Sequence, residues 1–131
     1  TRKNLLKTQK KYRKKYGDDY FINIAVRKMK NVKKGLIDGI RTPVDASVAK
    51  KNGAKLILID VSPRIRFERM RKRRRRGFSK TFQEFRQEEA SEFKFLGLKK
   101  TLSYTDYKIQ NNSTEKEFFK NIDKTLKKIV K

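Results

Sequence analysis

Two apolar runs that flank a polar stretch organise the middle of the chain, residues 35–63. The first run is short: Leu36 and Ile37 precede Asp38, as expected for a buried strand with a polar group at its carboxyl end. The second run is continuous over residues 56–61, which predicts a strand that is covered on both faces. The pattern therefore predicts two buried strands joined by a polar connection.

The connection between these runs carries the signals of a helix. Thr42 is suited to cap it, Pro43 suits its first position, and Asp45 lies three residues after the cap. Gly53 is placed to end the helix. A strand, a helix and a strand within about thirty residues form a parallel crossover unit, so the predicted class is α/β.

Apolar residues at helical spacing predict that most of the remaining chain is helical. A first helix covers residues 1–16 and ends at Gly17, and a second helix begins at Asp18 or Asp19. The later predicted elements are a helix from Pro63, a helix from Thr81, a loop or a short turn over residues 96–102, a strand over residues 104–110 and a helix from Thr114. Together these elements predict a single domain over residues 1–131.

The composition narrows the chemistry. The chain contains no cysteine and no histidine, which excludes disulfides and thiolate metal sites and removes the usual general base. With 38 basic against 14 acidic residues, the net charge of +24 favours a polyanionic partner such as a nucleotide, a nucleic acid or an anionic lipid. No apolar run is long enough to predict a membrane span, and we expect an intracellular protein.

An arginine-rich segment follows the second predicted strand. Residues 64–76 include nine basic residues against the single acid Glu68. Arg66, Arg69 and Arg73 are three and then four positions apart, so they line one side of a helix. Such a row suits the clamping of a transferring phosphoryl group, and it equally suits an RNA backbone.

Polar side chains at the first predicted strand end are candidates for chemistry, because ligands bind beyond the carboxyl ends of parallel strands. Asp38 could hold a hydrated magnesium ion or accept a proton, and Arg41 could bind phosphate with its forked guanidinium. Alternatively, Asp38 only fixes the loop by pairing with Arg41. The spacing supports both alternatives equally.

Several runs of the sequence occur in the order of a known family. These runs are residues 37–43, 52–57, 63–73, 81–85 with Glu92, and 106–113. The first run contains Ile-Asp-Gly-Ile-Arg and ends at Pro43. Before these runs, the family pattern also includes Arg2, Leu5, Arg13 and Gly17. Together they resemble the P-loop nucleoside monophosphate kinase superfamily. The likeness is greatest to dephospho-coenzyme A kinase-like proteins and to viral deoxynucleoside monophosphate kinases.

The resemblance implies a three-layer α/β fold around a parallel sheet, with an arginine-bearing lid over about residues 64–80. It implies ATP and Mg²⁺ as cofactors of the complete family fold. It also implies that Asp38, Arg66, Arg69 and Arg73 are catalytic, that Arg2, Arg13 and Arg41 bind the acceptor, and that Asn111 lies near the bound nucleotide.

One part of the family pattern has no counterpart here. The family opens with a strand and a glycine-rich loop ending in Lys-Ser or Lys-Thr, whereas the six glycines of this chain are isolated. We therefore expect these residues by themselves to bind neither ATP nor magnesium. Either a preceding segment or a partner chain supplies the missing central strand, or the protein is an inactive descendant.

Two functions follow as hypotheses. The first is the body of a nucleotide kinase-like protein that transfers a phosphoryl group from ATP to a nucleoside monophosphate-like or dephospho-coenzyme A-like acceptor. The alternative is a non-catalytic relative that binds RNA in a ribonucleoprotein such as a ribosome, which the charge favours. The residues predicted to bind RNA are Lys10, Lys11, Lys14, Lys15, Arg73, Arg74, Arg75 and Arg76.

Overall fold

The computed structural model describes residues 2–73 and 81–130, and for Arg2 it describes the backbone only. In chain order the elements are α1 (Arg2–Tyr16), α2 (Tyr20–Met29), α3 (Pro43–Lys51), β1 (Ile57–Asp60), α4 (Pro63–Arg73), α5 (Phe82–Leu96), α6 (Leu98–Leu102), β2 (Tyr107–Gln110) and α7 (Glu115–Ile129). The described residues fall into two compact units. The first comprises those of Thr1–Ala54 and Phe93–Tyr104, and the second those of Lys55–Glu92 and Thr105–Lys131.

The first unit is helical. Helix α2 packs on α1 and α3, and α3 packs on α6. Its buried apolar side chains are Ile22, Ala46 and Ala49. The two alanines allow neighbouring elements to approach the α3 backbone closely, because they have almost no side chain to displace. Helix α1 ends as predicted at Gly17, whose φ of +106° lies in the region that favours glycine.

Helix α3 begins and ends as its sequence predicts. The Thr42 hydroxyl accepts a hydrogen bond from the Asp45 amide at 3.2 Å, and the Asp45 carboxylate accepts one from the Thr42 amide at 3.4 Å. This reciprocal pair is a capping box, with Pro43 at the first helical position. Gly53, at a φ of +85°, follows the helix. The cap fixes where the chain turns from the preceding segment into α3.

We expect Thr42→Ala to lower the free energy of unfolding by about 1 kcal/mol, because it removes the hydroxyl acceptor of the cap. Thr8→Ala is the matched control, since the Thr8 hydroxyl only bonds the Asn4 carbonyl inside α1. Urea unfolding followed by circular dichroism measures both variants. Equal stabilities for the two would contradict a stabilising role of the cap.

The strand predicted at Leu36 and Ile37 is wrong. Residues 35–41 form neither helix nor strand, and Leu36 is 81% exposed. The physical reason is that a strand is stabilised by pairing, and no described residue pairs with this segment.

Two smaller predictions in the first unit are also corrected. Residues 96–102, predicted as a loop or a short turn, contain the five-residue helix α6. It follows Gly97, which adopts the left-handed conformation, and it is tied by the Thr101 hydroxyl, which donates to the Arg41 carbonyl at 2.8 Å. Asp19 does precede α2, but its side chain makes no capping hydrogen bond.

The second unit contains the sheet. Strands β1 and β2 are parallel, with Ile57 opposite Tyr107 and Asp60 opposite Gln110. Helix α7 packs against β2. The buried apolar side chains of this unit are Phe67 in α4, Phe85 in α5 and Ile109 in β2. A parallel pair with a helix after each strand agrees with the predicted second strand and the predicted last strand. The predicted covering of the second strand on both faces is wrong, because Ile59 in β1 is 44% exposed. The complete three-layer sheet stays a prediction.

Helix α7 closes the described chain. The Thr114 hydroxyl accepts from the Glu117 amide at 3.2 Å, as the sequence predicts. Phe119, Leu126 and Val130 remain exposed. Within residues 2–73 and 81–130, no helix is both long enough and apolar enough to cross a membrane.

Candidate functional site

The carboxyl ends of β1 and β2 lie side by side and are joined by hydrogen bonds. The Asn111 amide donates to the Asp60 carbonyl at 2.9 Å. The Ser62 amide donates to the Asn112 side chain at 2.8 Å. Because both links bridge the two strand exits, the loops that follow β1 and β2 are held in a fixed relation at the edge where parallel sheets bind ligands.

A cavity of about 270 Å³ opens beside β2 at this edge. It is lined by Gln110, Asn111, Asn112, Ser113, Glu117, Phe118 and Asn121. Six of the seven lining residues have polar side chains, and the seventh is Phe118. The volume lies just below the usual range of small-molecule sites, which suits a flat portion of a ligand rather than a whole nucleotide.

The three asparagines of the cavity differ in what their side chains do. Asn112 accepts from the Ser62 amide, and Asn121 donates to the Gln110 carbonyl at 3.4 Å. The side chain of Asn111 makes no hydrogen bond to any described residue and is half-buried. Its amide therefore keeps both donor and acceptor capacity at the wall of the cavity.

Arg69 holds α4 to the exit of β2. Its guanidinium donates to the carbonyls of Asn111 at 2.7 Å and Ser113 at 3.1 Å. These carbonyls belong to the loop that lines the cavity. The structure thus brings two predicted site residues, Arg69 and Asn111, into direct contact, through the backbone of the latter.

Arg66 holds the base of α4 in a similar way. It donates to the Val61 carbonyl and to the Glu89 carboxylate, each at 2.6 Å. Its Nε is buried without a partner among the residues that the structure covers. Two of the three arginines predicted to be catalytic are therefore engaged with the protein itself.

Arg73 is different, because its side chain is exposed and makes no ion pair within the described ranges. It lies at the end of α4. Arg74, Arg75 and Arg76, and the lid from residue 74 to residue 80, lie outside the described residues.

Among the predicted acceptor-binding residues, Arg13 is held inside the first unit. It donates to the Asp18 carbonyl at 2.6 Å and to the Asp45 carboxylate at 3.4 Å. Asp45 is the capping residue of α3 and is buried, and its Oδ1 has no hydrogen-bond partner in the part of the chain that is described. Arg13 therefore ties the end of α1 to the start of α3.

The remaining candidates lie on the exposed segment before α3. Asp38 is exposed and forms no ion pair with Arg41 or with any other described residue. Of the two hypotheses for Asp38, the pairing with Arg41 is not formed. The Arg41 side chain is exposed as well, while its carbonyl accepts from Thr101. The side chain of Arg2 lies outside the described part.

Exposed cations cover α1. Lys10, Lys11, Lys14 and Lys15 are all exposed, as expected for residues predicted to bind RNA. The ammonium group of Lys10 lies 4.5 Å from the centre of the Phe95 ring, and that of Lys15 lies 5.1 Å from the centre of the Tyr16 ring.

The sequence interpretation missed two features. Apart from Asn111, the cavity residues were not predicted as site residues, although three asparagines and a serine lie within twelve positions there. Tyr12 and Tyr16 were also not predicted as site residues, although their four-residue spacing places both rings on one side of α1, where Tyr20 of α2 joins them.

The described residues offer no metal centre. Nowhere in residues 2–73 or 81–130 do three or more carboxylates come together so that they could hold a metal ion. Asp38 and Asp60 are each single carboxylates, and Asp60 pairs with Lys108 at 3.5 Å. Magnesium is usually bound through one or two carboxylates together with waters and substrate phosphates, so magnesium as a cofactor stays a prediction.

Comparison with known proteins relates the whole chain to one set of relatives. It is 35% identical over 133 aligned residues to a UPF0200 protein of Staphylothermus marinus, covering 99% of this chain and 69% of that protein. It is 34% identical to a UPF0200 protein of Pyrococcus horikoshii, covering 92% and 68%. A UPF0200 protein of Thermococcus kodakarensis is 25% identical over 99% of this chain. No family model matches the chain.

Proposed function

The chain belongs to the UPF0200 family, and from this premise we propose that it forms the nucleotide-binding body of a kinase-like protein. The proposed reaction is phosphoryl transfer from ATP to a nucleoside monophosphate-like or dephospho-coenzyme A-like acceptor. The proposal rests on the cavity beside β2 and on the resemblance of the runs 37–43, 63–73 and 106–113 to P-loop nucleotide kinases.

The observation that carries the proposal is the Asn111 amide at the cavity wall. A nucleobase edge presents a donor next to an acceptor, and a side-chain amide can meet both. Phe118 offers an apolar surface for a planar ring in the same cavity. These two residues would bind and orient the base, because a parallel strand end is where such ligands are bound.

The arginines have two separate roles in this proposal. Arg66 and Arg69 position α4 against the exits of β1 and β2, as their contacts with Val61 and Asn111 indicate. Arg73 is the described arginine that is available to neutralise charge on a transferring phosphoryl group. Of the three arginines, Arg66 and Arg69 are thus positioning residues and Arg73 is the candidate catalytic residue.

The acceptor residues are assigned in the same manner. Arg41 is exposed and could bind an acceptor phosphate, whereas Arg13 holds α1 on the start of α3. Asp38 remains a candidate for orienting the attacking hydroxyl, since no described residue pairs with it. ATP would supply the phosphoryl group.

We expect Asn111→Ala to weaken adenosine binding by about five- to tenfold, the equivalent of one hydrogen bond of roughly 1–1.5 kcal/mol. Adenosine is the appropriate probe, because the phosphates of ATP would be attracted by the positive charge of the whole chain. A titration followed by nuclear magnetic resonance measures the affinity and locates the signals that shift.

The matched control is Asn23→Ala, which replaces a half-buried helical asparagine in the other unit. It should leave adenosine binding unchanged. The proposal would be contradicted if adenosine shifted no signals of the cavity residues, or if both variants bound it as tightly as the original chain.

RNA binding is the second candidate function. The exposed lysines of α1 and the net charge of +24 favour it, because they supply the electrostatic attraction that sequence-independent RNA binding needs. This candidate does not need the cavity beside β2.

A further inference from the structure

Three tyrosine rings gather on the surface where α1 meets α2. We call Tyr12, Tyr16 and Tyr20 the tyrosine cluster. Their ring centres are 4.8 to 6.0 Å apart, and their planes are within 17° to 25° of each other. Phe21 meets Tyr20 edge-on at 5.1 Å and so braces the cluster from one side.

The cluster is open to its surroundings. Tyr12 is 40% exposed and Tyr16 is 50% exposed. Rings that are nearly parallel to one another present their outer faces in a common direction. An exposed set of parallel aromatic faces is the arrangement on which planar ligands stack.

The charge around the cluster indicates which planar ligand fits. Residues 1–16 contain eight cations and no acid, and the net charge of +24 opposes association with a second copy of this chain. Lys11 and Lys15 are one helical turn apart and immediately precede Tyr12 and Tyr16, and Lys15 already lies over the Tyr16 ring. The matching partner is therefore an anion that carries planar rings.

We propose that the tyrosine cluster, with Lys11 and Lys15, binds single-stranded RNA. Unpaired bases stack on the outer faces of Tyr12 and Tyr16, and the base on Tyr16 displaces the Lys15 ammonium group from over that ring. Lys11 and Lys15 then contact the phosphates that link those bases. The exposed carboxylates of Asp18 and Asp19 at the turn repel phosphate, so the backbone of the RNA follows α1 rather than the turn.

A single strand fits better than a duplex, because base pairing hides the base faces inside the stack. RNA fits better than DNA, since unpaired loops and ends with splayed bases are the common form in which proteins read RNA. This inference rests on the second candidate function, RNA binding, and not on phosphoryl transfer.

The test is fluorescence anisotropy of a labelled oligoadenylate of about twelve nucleotides, a length within the site sizes of stacking platforms. We expect Tyr16→Leu to weaken binding by about five- to a hundredfold, the range measured for loss of one base–aromatic stack. Leucine keeps apolar bulk and helix propensity, so α1 should stay folded. Tyr16→Phe keeps the ring and should retain most of the affinity.

Two matched controls separate stacking from charge. Phe119→Leu makes the same kind of change at a ring in α7 that is 55% exposed, and it should leave affinity unchanged. Lys11→Gln with Lys15→Gln should weaken binding more than Lys7→Gln with Lys14→Gln. The two pairs remove equal charge, but Lys7 and Lys14 lie on the opposite side of α1 from Tyr12 and Tyr16.

The outcomes distinguish the inference from the function on which it rests. Loss of affinity in the lysine variants but not in Tyr16→Leu would overturn the tyrosine site and leave RNA binding in place. Inorganic polyphosphate or duplex RNA competing as well as the single strand would do the same. An oligodeoxynucleotide that bound more tightly would overturn the assignment to RNA, and no binding of any strand would overturn both.

Discussion

Replacing Phe67 by alanine is expected to lower the free energy of unfolding by about 3–5 kcal/mol. Phe67 is only 4% exposed, and its ring lies 5.6 Å from the rings of both Phe82 and Phe85. Truncation would leave a cavity between α4 and α5 that the surrounding aromatic side chains cannot fill. A change of this size is a large part of the stability of a small protein.

Urea unfolding followed by circular dichroism measures this effect. Phe119→Ala is the control, because that ring is more than half exposed and its loss should change stability by less than about 0.5 kcal/mol. If Phe67→Ala is too unstable to purify, Phe67→Leu retains most of the apolar volume and should give a smaller, measurable loss. Equal stabilities of Phe67→Ala and Phe119→Ala would show that the aromatic core of the second unit is not stabilising.

The affinity for single-stranded RNA is expected to fall about three hundredfold when salt rises from roughly 50 to 200 mM. This estimate assumes about six neutralised phosphates, each contributing about 0.7 to the logarithmic slope for a single strand. The exposed lysines of α1 and the exposed Arg73 supply several of these contacts. Affinity that hardly changed with salt would remove the electrostatic basis of the RNA-binding candidate.

The contribution of the arginine-rich segment to that slope can be measured separately. Replacing residues 73–76 by glutamine should flatten the slope by up to about 2.8 and weaken all sequences alike, because phosphate contacts carry no base information. The control replaces four lysines of α7 by glutamine, which changes the net charge equally: Lys116, Lys120, Lys124 and Lys127. An equal effect of the two sets would show that only total charge matters.

The helix caps at Thr42 and Thr114 and the end of α1 are predicted correctly because their signals are local. The caps at Thr42 and Thr114 bond to amides three residues away, so the chain itself contains both partners of each bond. The same holds for the stop of α1 at Gly17. The predicted strand at Leu36 failed because pairing is not local: an apolar run becomes a strand only where another strand accepts its hydrogen bonds.

The same difference between local and long-range contacts applies to the candidate site. Helical spacing correctly places Arg66, Arg69 and Arg73 on one helix. Spacing carries no information on partners from distant parts of the chain, and the Asn111 carbonyl that Arg69 binds lies 42 positions away. The sequence alone therefore cannot distinguish an arginine that binds a backbone carbonyl from an arginine that is available to bind phosphate.

The pairing of β1 with β2 bears on how the chain folds. Leu56 and Ser62 bond to residues 50 positions further along, and the segment between the strands includes α4, α5 and α6. Loop-closure entropy makes such long-range contacts slow to form, whereas the capped helices need only near neighbours. The helices should thus acquire structure early in refolding. The cavity beside β2 should form last, together with the parallel pair that fixes its wall.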